Sequence, residues 1–377
     1  MVIYHHAAEL GTTHNVASSL RPSRMRAAFE AIGEDVFEVT GGATERFDKA
    51  KELAGEMNTL PEGTIFYSES VNTPMALSWL VQEPLRWRDM DFDTRLMGRL
   101  RARGIPTGLF YRDIYWKFGV RTAAGMRGWV KQAVNPFFAR RELRAFGEGL
   151  DVLFLPHERM AEYLPELNSG IEVRSLFPGG DAREEAPGDE MDEPGGRGLR
   201  LLYVGDIAPP VYDMRPYLDE LEGMGDVRLD LITRERELAA YDALYRFGER
   251  ARVVVSHAEG SGLARFYRGA DMAVVVREDC DYHAFGMPVK IFEAISFAVP
   301  LMVSAGAKSV VELVRREKIG WVVENPGEFR ELLMRLSERP EEIEERRARM
   351  LEIRSDHTWE ARAREVLAVL RGVEGQH

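Results

Sequence analysis

The feature that most constrains this chain is a rhythm. Short β-type runs alternate with helical patterns from one end to the other. The first six runs are "VIYH" (2–5), "DVFEV" (35–39), "TIFYS" (64–68), "IPTGLFY" (105–111), "DVLFL" (151–155) and "IEVRSLF" (171–177). After an interruption the pattern resumes with "LRLLYV" (199–204), "VRLDLIT" (227–233), "ARVVV" (251–255), "DMAVVV" (271–276), "PLMVS" (300–304) and "GWVVE" (320–324). Helical segments fall between most of them. This alternation predicts an α/β protein with parallel sheets and crossover helices. So many strands fit two sheets better than one.

The interruption is "GGDAREEAPGDEMDEPGGRG" (179–198). It is dense in Gly, Pro and charge, with almost nothing to bury, and reads as a linker. The expected division is a domain over 1–180, a linker over 181–198 and a second domain over 199–357. The chain then runs into helical patterns. The last of these, from Thr358, carries Trp359, Ala363, Val366, Leu367 and Leu370 at helical spacing.

The totals exclude several classes. A length of 377 residues suits two domains, and 45% hydrophobic content supplies two cores. A net charge of −12 disfavours bulk attraction to nucleic acid. One cysteine, Cys280, leaves no internal disulfide framework and no Cys-based zinc site. The start lacks the pattern of a signal peptide. No stretch reaches the roughly 18 to 20 apolar residues that span a bilayer. The expectation is a cytoplasmic protein.

One segment asks a sharper question. "YHAFGMPVKIFEAISFAVPLM" (282–302) is a turn running into a helix that is apolar almost all round, interrupted by Lys290, Glu293 and Ser296. Gly286 permits close backbone approach, and Pro288 suits a first helical position. The helix start would offer free amides and partial positive charge to an anion. Lys290 adds a full positive charge, which is mildly unfavourable there unless an anion is near. Glu293 lies one turn deeper on the same face. A carboxylate among Ile291, Phe292, Ala294 and Ile295 needs partners, and two vicinal sugar hydroxyls would supply them. Phosphate at the helix tip and ribose one turn below describe a nucleoside diphosphate. The simpler alternative is an i,i+3 ion pair on a half-exposed helix.

Several stretches together carry a family resemblance. "GMPVKIFEAISFAVPLMVS" (286–304) resembles the C-terminal motif of GT-B glycosyltransferases of the family 4 type, in which a Gly-x-Pro turn opens a helix whose glutamate binds the nucleotide ribose. "LLYVGDI" (201–207) resembles the strand and glycine loop that open the C-terminal domain, and "GLARFYRGADMAVVVRED" (262–279) the later helix-to-strand stretch. "LFPGGD" (176–181) resembles the "PNG-x-D" element that ends the N-terminal domain. "LFYRDIYW" (109–116) resembles a strand end where many members carry "HD". "SLRPSRMRAAFEAIGEDVFEVTG" (19–41) is similar to the first acceptor-side loop, helix and second strand. The matches fall in family order over most of the chain.

The resemblance implies two Rossmann-like, doubly wound domains facing a cleft. The N-terminal acceptor-binding domain would regain a returning helix, 358–377. The C-terminal domain would bind a UDP- or GDP-linked sugar through Gly205, Arg215, Arg234, His283, Phe285, Gly286, Met287, Pro288, Val289, Lys290 and Glu293. Acceptor contacts are expected from His14, Arg21, Arg24, Arg112 and Asp113. The catalytic set would be Arg112, Asp113, Lys290 and Glu293. No metal or other cofactor is expected, although His5, His6 and His14 fall in one loop. The implied activity is sugar transfer, with retention, to a glycan or lipid-linked acceptor of a cell-surface polysaccharide.

Departures from the family pattern temper this. Counting back eight positions from Glu293 to the usual first glutamate gives Phe285. Arg112 stands where a histidine is common. The loop after "YVGDI" offers Asp206 and Asp213 before its first cation, Arg215. Arg112 and Asp113 also have a simpler reading as a structural salt bridge, and Arg234 one as a solvated strand-end arginine. A catalytically inert GT-B domain that partners another glycosyltransferase therefore stays open, as does a sugar-nucleotide epimerase of the same fold. Residues 121–144, "RTAAGMRGWVKQAVNPFFARRELR", carry six basic residues and one acid. They could rest on an anionic membrane, or form a solvated helix over the N-terminal core.

Overall fold

The computed structural model describes residues 1–10, 17–118, 126–167, 170–182 and 198–373. The chain falls into two units, Met1–Phe177 with Trp359–His377, and Pro178–Thr358. The first unit begins with β1 (Val2–His6), α1 (Ala17–Ala31), β2 (Val36–Thr40), α2 (Ala43–Glu56), β3 (Ile65–Glu69) and α3 (Met75–Gln82). It continues with α4 (Phe92–Arg101), β4 (Thr107–Phe110), α5 (Met126–Gly149), β5 (Val152–Leu155) and β6 (Glu172–Ser175). Its six strands form one sheet in the order β2-β1-β3-β4-β5-β6, with every pairing parallel.

The second unit contains β7 (Leu199–Val204), α6 (Arg215–Leu221), β8 (Val227–Ile232), α7 (Glu235–Tyr245), β9 (Val253–Ser256), α8 (Ala264–Gly269) and β10 (Met272–Val275). It is completed by α9 (Val289–Ser296), β11 (Leu301–Ser304), α10 (Lys308–Glu317), β12 (Gly320–Val323), α11 (Pro326–Glu338) and α12 (Glu341–Ile353). Its sheet runs β12-β11-β10-β7-β8-β9, again all parallel. Alternate residues of three strands build one face of its core: Leu201 and Tyr203, Leu229 and Leu231, Met272 and Val274. They pack with Leu218 of α6 and Leu333 of α11. The last helix, α13 (Trp359–Val373), belongs to the first unit, where Leu370 lies against Gly108 of β4. A Cβ on Gly108 would sit 3.0 Å from Leu370 and 2.9 Å from Phe154, so the small residue lets the helix approach the sheet.

Every strand read from the sequence is present, within a residue or two at its ends. Pro178 to Gly180 group with the second unit. There Gly180 donates its N–H to the carbonyl of His357 at 2.8 Å. A Cβ on Gly180 would come within 2.4 Å of the Phe292 carbonyl oxygen and 2.0 Å of Ser296 Oγ, so only glycine lets this segment lie against α9. Residues 183–197 of the charged stretch lie outside the described residues. No described helix is long and apolar enough to cross a membrane.

Each sheet has a point where successive strands turn outward in opposite directions. It falls between β1 and β3 in the first unit and between β7 and β10 in the second. Ligands of doubly wound sheets bind beyond the carboxyl ends of strands at such points.

Candidate active site

The switch point of the second sheet opens into a cavity of about 170 Å³. Gly205 and Asp206, just beyond β7, form one wall, and Val276 and Arg277, just beyond β10, form another. Tyr212, Tyr267 and Lys290 complete the polar part of the lining, with Pro288 beside them. The site is thus assembled from a loop, two strand ends and the start of α9.

The sequence of α9 dictates its pose. Ile291, Phe292, Ala294 and Ile295 are essentially unexposed and pin one face to the core. Pro288 is not the first helical residue but the N-cap, at φ −71° and ψ 143°, and the helix begins at Val289. The difference is one residue, because Pro288 keeps the extended ψ of the turn. No side chain caps this end. Ser309 Oγ donates to the Gly286 carbonyl at 2.8 Å and holds the turn in place.

Lys290 and Glu293 then emerge on the half-buried face, 37% and 24% exposed. Lys290 Nζ donates to both carboxylate oxygens of Glu293, at 3.1 and 2.9 Å. The buried Tyr267 donates its hydroxyl to Glu293 Oε2 at 3.1 Å. Its ring stacks on Phe297, 5.0 Å between centroids and 5° between planes. Burial, with the Glu293 charge beside it, pushes the Tyr267 phenol well above its ordinary range, so it remains a donor. The i,i+3 pair is therefore formed, as the simpler reading of the sequence required. Lys290 also lines the cavity, so forming the pair does not remove it from the site.

The other residues expected on the donor side are placed less uniformly. Gly205 lines the cavity and donates its N–H to the Ile232 carbonyl at 3.0 Å. Met287 is buried, and Val289 opens the helix. Phe285, where a family glutamate would stand, is a core residue edge-on to Tyr282. His283 is fully buried, with Nδ1 2.9 Å from the Glu278 carbonyl. Burial lowers its pKa and keeps it neutral. Arg215 does not line the cavity. Asp213 takes its Nε and Nη2 at 2.9 and 2.7 Å and its backbone N–H at 3.0 Å. Arg234 is a half-exposed N-cap residue 3.7 Å from Glu237 and is likewise not part of the lining.

In the first unit, Arg21 is buried and its Nε donates to both Glu69 oxygens at 3.0 and 3.1 Å, with its guanidinium 3.5 Å from the Phe110 ring centroid. Arg24 is exposed. Arg112 follows β4 and donates its backbone N–H to Ser70 Oγ at 2.9 Å. Burial lowers the pKa of its guanidinium, although Glu69 and Asp113 oppose the shift. Asp113 accepts the Tyr115 N–H at 3.0 Å. His5 lies between Ser68 Oγ at 2.8 Å and Asp93 Oδ1 at 2.9 Å. His6 Nδ1 faces the Glu69 carbonyl at 2.8 Å, and burial pulls its pKa down to about 4. His14 lies outside the described residues, as do 121–125 of the basic stretch.

The sequence reading missed Tyr267, Tyr212 and Arg277. The first sits in the helix-to-strand stretch 262–279 that carries part of the family resemblance. The signal for Arg277 was its position, a charged residue directly after an apolar strand.

Comparison with known proteins fits this geometry. Residues 217–368 match the family model described as glycosyl transferase-like. Among solved structures, HepE of Anabaena in complex with UDP and glucose superposes with a TM-score of 0.60, at 12% identity over 98% of each chain. WaaG, a glycosyltransferase involved in lipopolysaccharide biosynthesis, gives 0.57 at 12% identity over 99% of this chain and 100% of its own. A glycosyltransferase from Rickettsia africae gives 0.57 at 10% identity over 100% and 99%. The chain has the GT-B fold, and its residues 217–368 are similar to the glycosyl transferase-like model. No curated protein matches it by sequence. Within the GT-B fold, the cavity beside α9 lies in the half that carries the glycosyl transferase-like match.

Proposed function

We propose that the chain is a glycosyltransferase that moves a sugar from a UDP- or GDP-linked donor to a glycan or lipid-linked acceptor of a cell-surface polysaccharide, on the cytoplasmic side. The observation that carries this is the cavity at the β7/β10 switch point, where Lys290 and the uncapped start of α9 offer an anion site, with the Glu293 carboxylate held beside Lys290 by hydrogen bonds. The solved neighbours support it: HepE holds UDP and glucose in one structure and UDP-glucose in another, and WaaG belongs to lipopolysaccharide biosynthesis.

In the proposed reaction the bond from the anomeric carbon to the diphosphate oxygen breaks, and its electron pair stays with the phosphate. A bond forms from the same carbon to an acceptor hydroxyl oxygen. The hydroxyl proton passes to the departing phosphate, and the sugar keeps its configuration. The protein's task is to orient the donor and offset the negative charge that grows on the diphosphate. Lys290 and the first amides of α9 supply positive charge, while Glu293 receives ribose hydroxyls. Arg112 and Asp113 are assigned to the acceptor, as are Arg21, Arg24 and His14. A lipid-linked acceptor would bring 121–144 to an anionic membrane. Pelleting with phosphatidylglycerol vesicles, but not with phosphatidylcholine vesicles, tests that contact.

One observation favours a second reading. Phe285 is a core side chain, so a family glutamate's role cannot be met from that position. An inert donor-binding domain would keep nucleotide affinity without turnover. A thermal-shift screen with UDP, GDP, ADP and CMP, followed by donor hydrolysis and transfer assays, separates the two. Stabilisation by one nucleotide with turnover supports the enzyme. Stabilisation without turnover supports the inert domain.

A further inference from the structure

We propose that Arg277 is the cation that grips the donor diphosphate. The inference rests on the nucleotide-sugar reading and adds the residue that reads the phosphates.

The loop over 205–214, "GDIAPPVYDM", contains no lysine or arginine. Its two carboxylates serve the loop itself. Asp206 Oδ1 accepts the Ala208 N–H at 2.9 Å, and Asp213 holds Arg215 in a fork. Asp206 also lines the cavity and would repel a diphosphate unless a cation offset it. Three other cations expected to serve the donor are already matched. Arg215 is on Asp213, Arg234 faces Glu237 at 3.7 Å, and Lys290 is shared with Glu293. Arg277 lines the cavity, and no carboxylate pairs with it among the described residues. Its guanidinium lies over the face of Tyr212, 5.9 Å from the ring centroid, which steadies a cation without neutralising it.

The surroundings hold this arginine in place. Ser304 Oγ accepts the Arg277 N–H at 2.8 Å and donates to the Arg277 carbonyl at 2.9 Å, so one hydroxyl of β11 brackets the backbone. A Cβ on Gly306 would fall 2.5 Å from the Arg277 carbonyl oxygen and 2.6 Å from the Asp279 nitrogen, so glycine allows the 277–279 backbone to pass. A Cβ on Gly286 would fall 2.7 Å from Arg277 Nη1, so the turn before α9 leaves room for the guanidinium itself. The fork of an arginine matches two phosphate oxygens at once, which a lysine cannot do. An unmatched guanidinium beside the uncapped start of α9 therefore suits a diphosphate better than a sugar hydroxyl.

The test is isothermal titration of the full chain with UDP, GDP, ADP and CDP, with the corresponding nucleosides, and with inorganic pyrophosphate. For the nucleotide that binds, Arg277→Gln should weaken the nucleoside diphosphate by roughly 10- to 100-fold, the range of a lost charge-assisted hydrogen-bond pair. The same variant should abolish pyrophosphate binding and leave the nucleoside unchanged. Arg277→Lys should recover part of the loss. Gly286→Ala should weaken the diphosphate in the same selective way, because its methyl displaces a flexible guanidinium end and not backbone. Unaltered melting temperatures in these variants exclude unfolding as the cause. Equal losses for nucleotide and nucleoside, or wild-type diphosphate affinity in Arg277→Gln, overturn the assignment while leaving the nucleotide-sugar reading intact. If the wild-type chain binds none of the diphosphates, that reading falls and the assignment with it.

Discussion

The two sheets share a topological rule but fill their switch points differently. In the first unit, the ends of β1 and β3 are closed by their own charges. Arg21 Nε donates to both oxygens of Glu69, which also accepts the Tyr67 hydroxyl at 2.6 Å. His5 bridges Ser68 and Asp93, and Arg46 meets both oxygens of Asp93 at 2.9 and 2.8 Å. Arg21, Glu69, Arg46 and Asp93 are all buried. In the second unit, the ends of β7 and β10 leave a cavity lined by the half-exposed Lys290 and by Arg277 without a carboxylate. Charges that are buried and matched build structure, and removing one partner strands the other. Charges that are exposed and only partly matched contribute little to folding and remain available to a ligand.

The largest expected effect breaks the closed side. Arg46→Ala leaves Asp93 buried without its main partner and should cost about 3–5 kcal/mol in urea denaturation. The same carboxylate should mark acid unfolding. Arg46 and His5 hold the Asp93 pKa below the ordinary aspartate range against the opposing effect of burial. The stability it contributes is complete above the unfolded value near 4 and is lost as pH falls below it.

A middle-sized effect tests whether every buried charge of the first unit is matched. Glu142 is buried, and its Oε1 accepts the Met75 N–H at 2.7 Å at the start of α3. Burial still pushes its pKa up to about 8. The folded state therefore prefers the protonated acid. Stability from this group is complete below the unfolded value near 4.5 and declines as pH rises through about 8, by up to about 1.4 kcal/mol per pH unit. Glu142→Gln keeps the acceptor and should flatten the stability profile between pH 5 and 8. An unchanged profile would remove Glu142 from this role.

The smallest effect on folding belongs to the open side. Lys290→Ala loses a half-exposed ion pair and should cost no more than about 1 kcal/mol, while nucleotide affinity falls about tenfold or more. A loss of several kcal/mol in stability would make the pair structural and erase the contrast between the two switch points.

Much of this was legible in the sequence. Each strand announces itself by a short run of branched and aromatic residues, because both faces of a parallel strand are buried. The Lys290–Glu293 pair follows from helical spacing alone. What was not legible depends on distance along the chain. His5 reads as a free loop histidine until folding brings Asp93, 88 positions on, to its ring. The weight of Arg277 depends on Ser304, Gly306 and Gly286, none of which adjoins it in sequence. The resemblance assigned Arg215, the first cation after "YVGDI", to the donor. Its partner was Asp213, two residues earlier, and the short spacing permitted that reading too.

The most direct test of the central account is calorimetric binding of UDP and GDP to the wild-type chain and to Glu293→Ala. The account predicts that one of the two binds, and that the variant loses at least about tenfold in affinity while keeping its fold. If neither binds at millimolar concentration, or if the variant binds as tightly as the wild type, the cavity beside α9 is not the donor site, and Lys290 and Glu293 are only an ion pair.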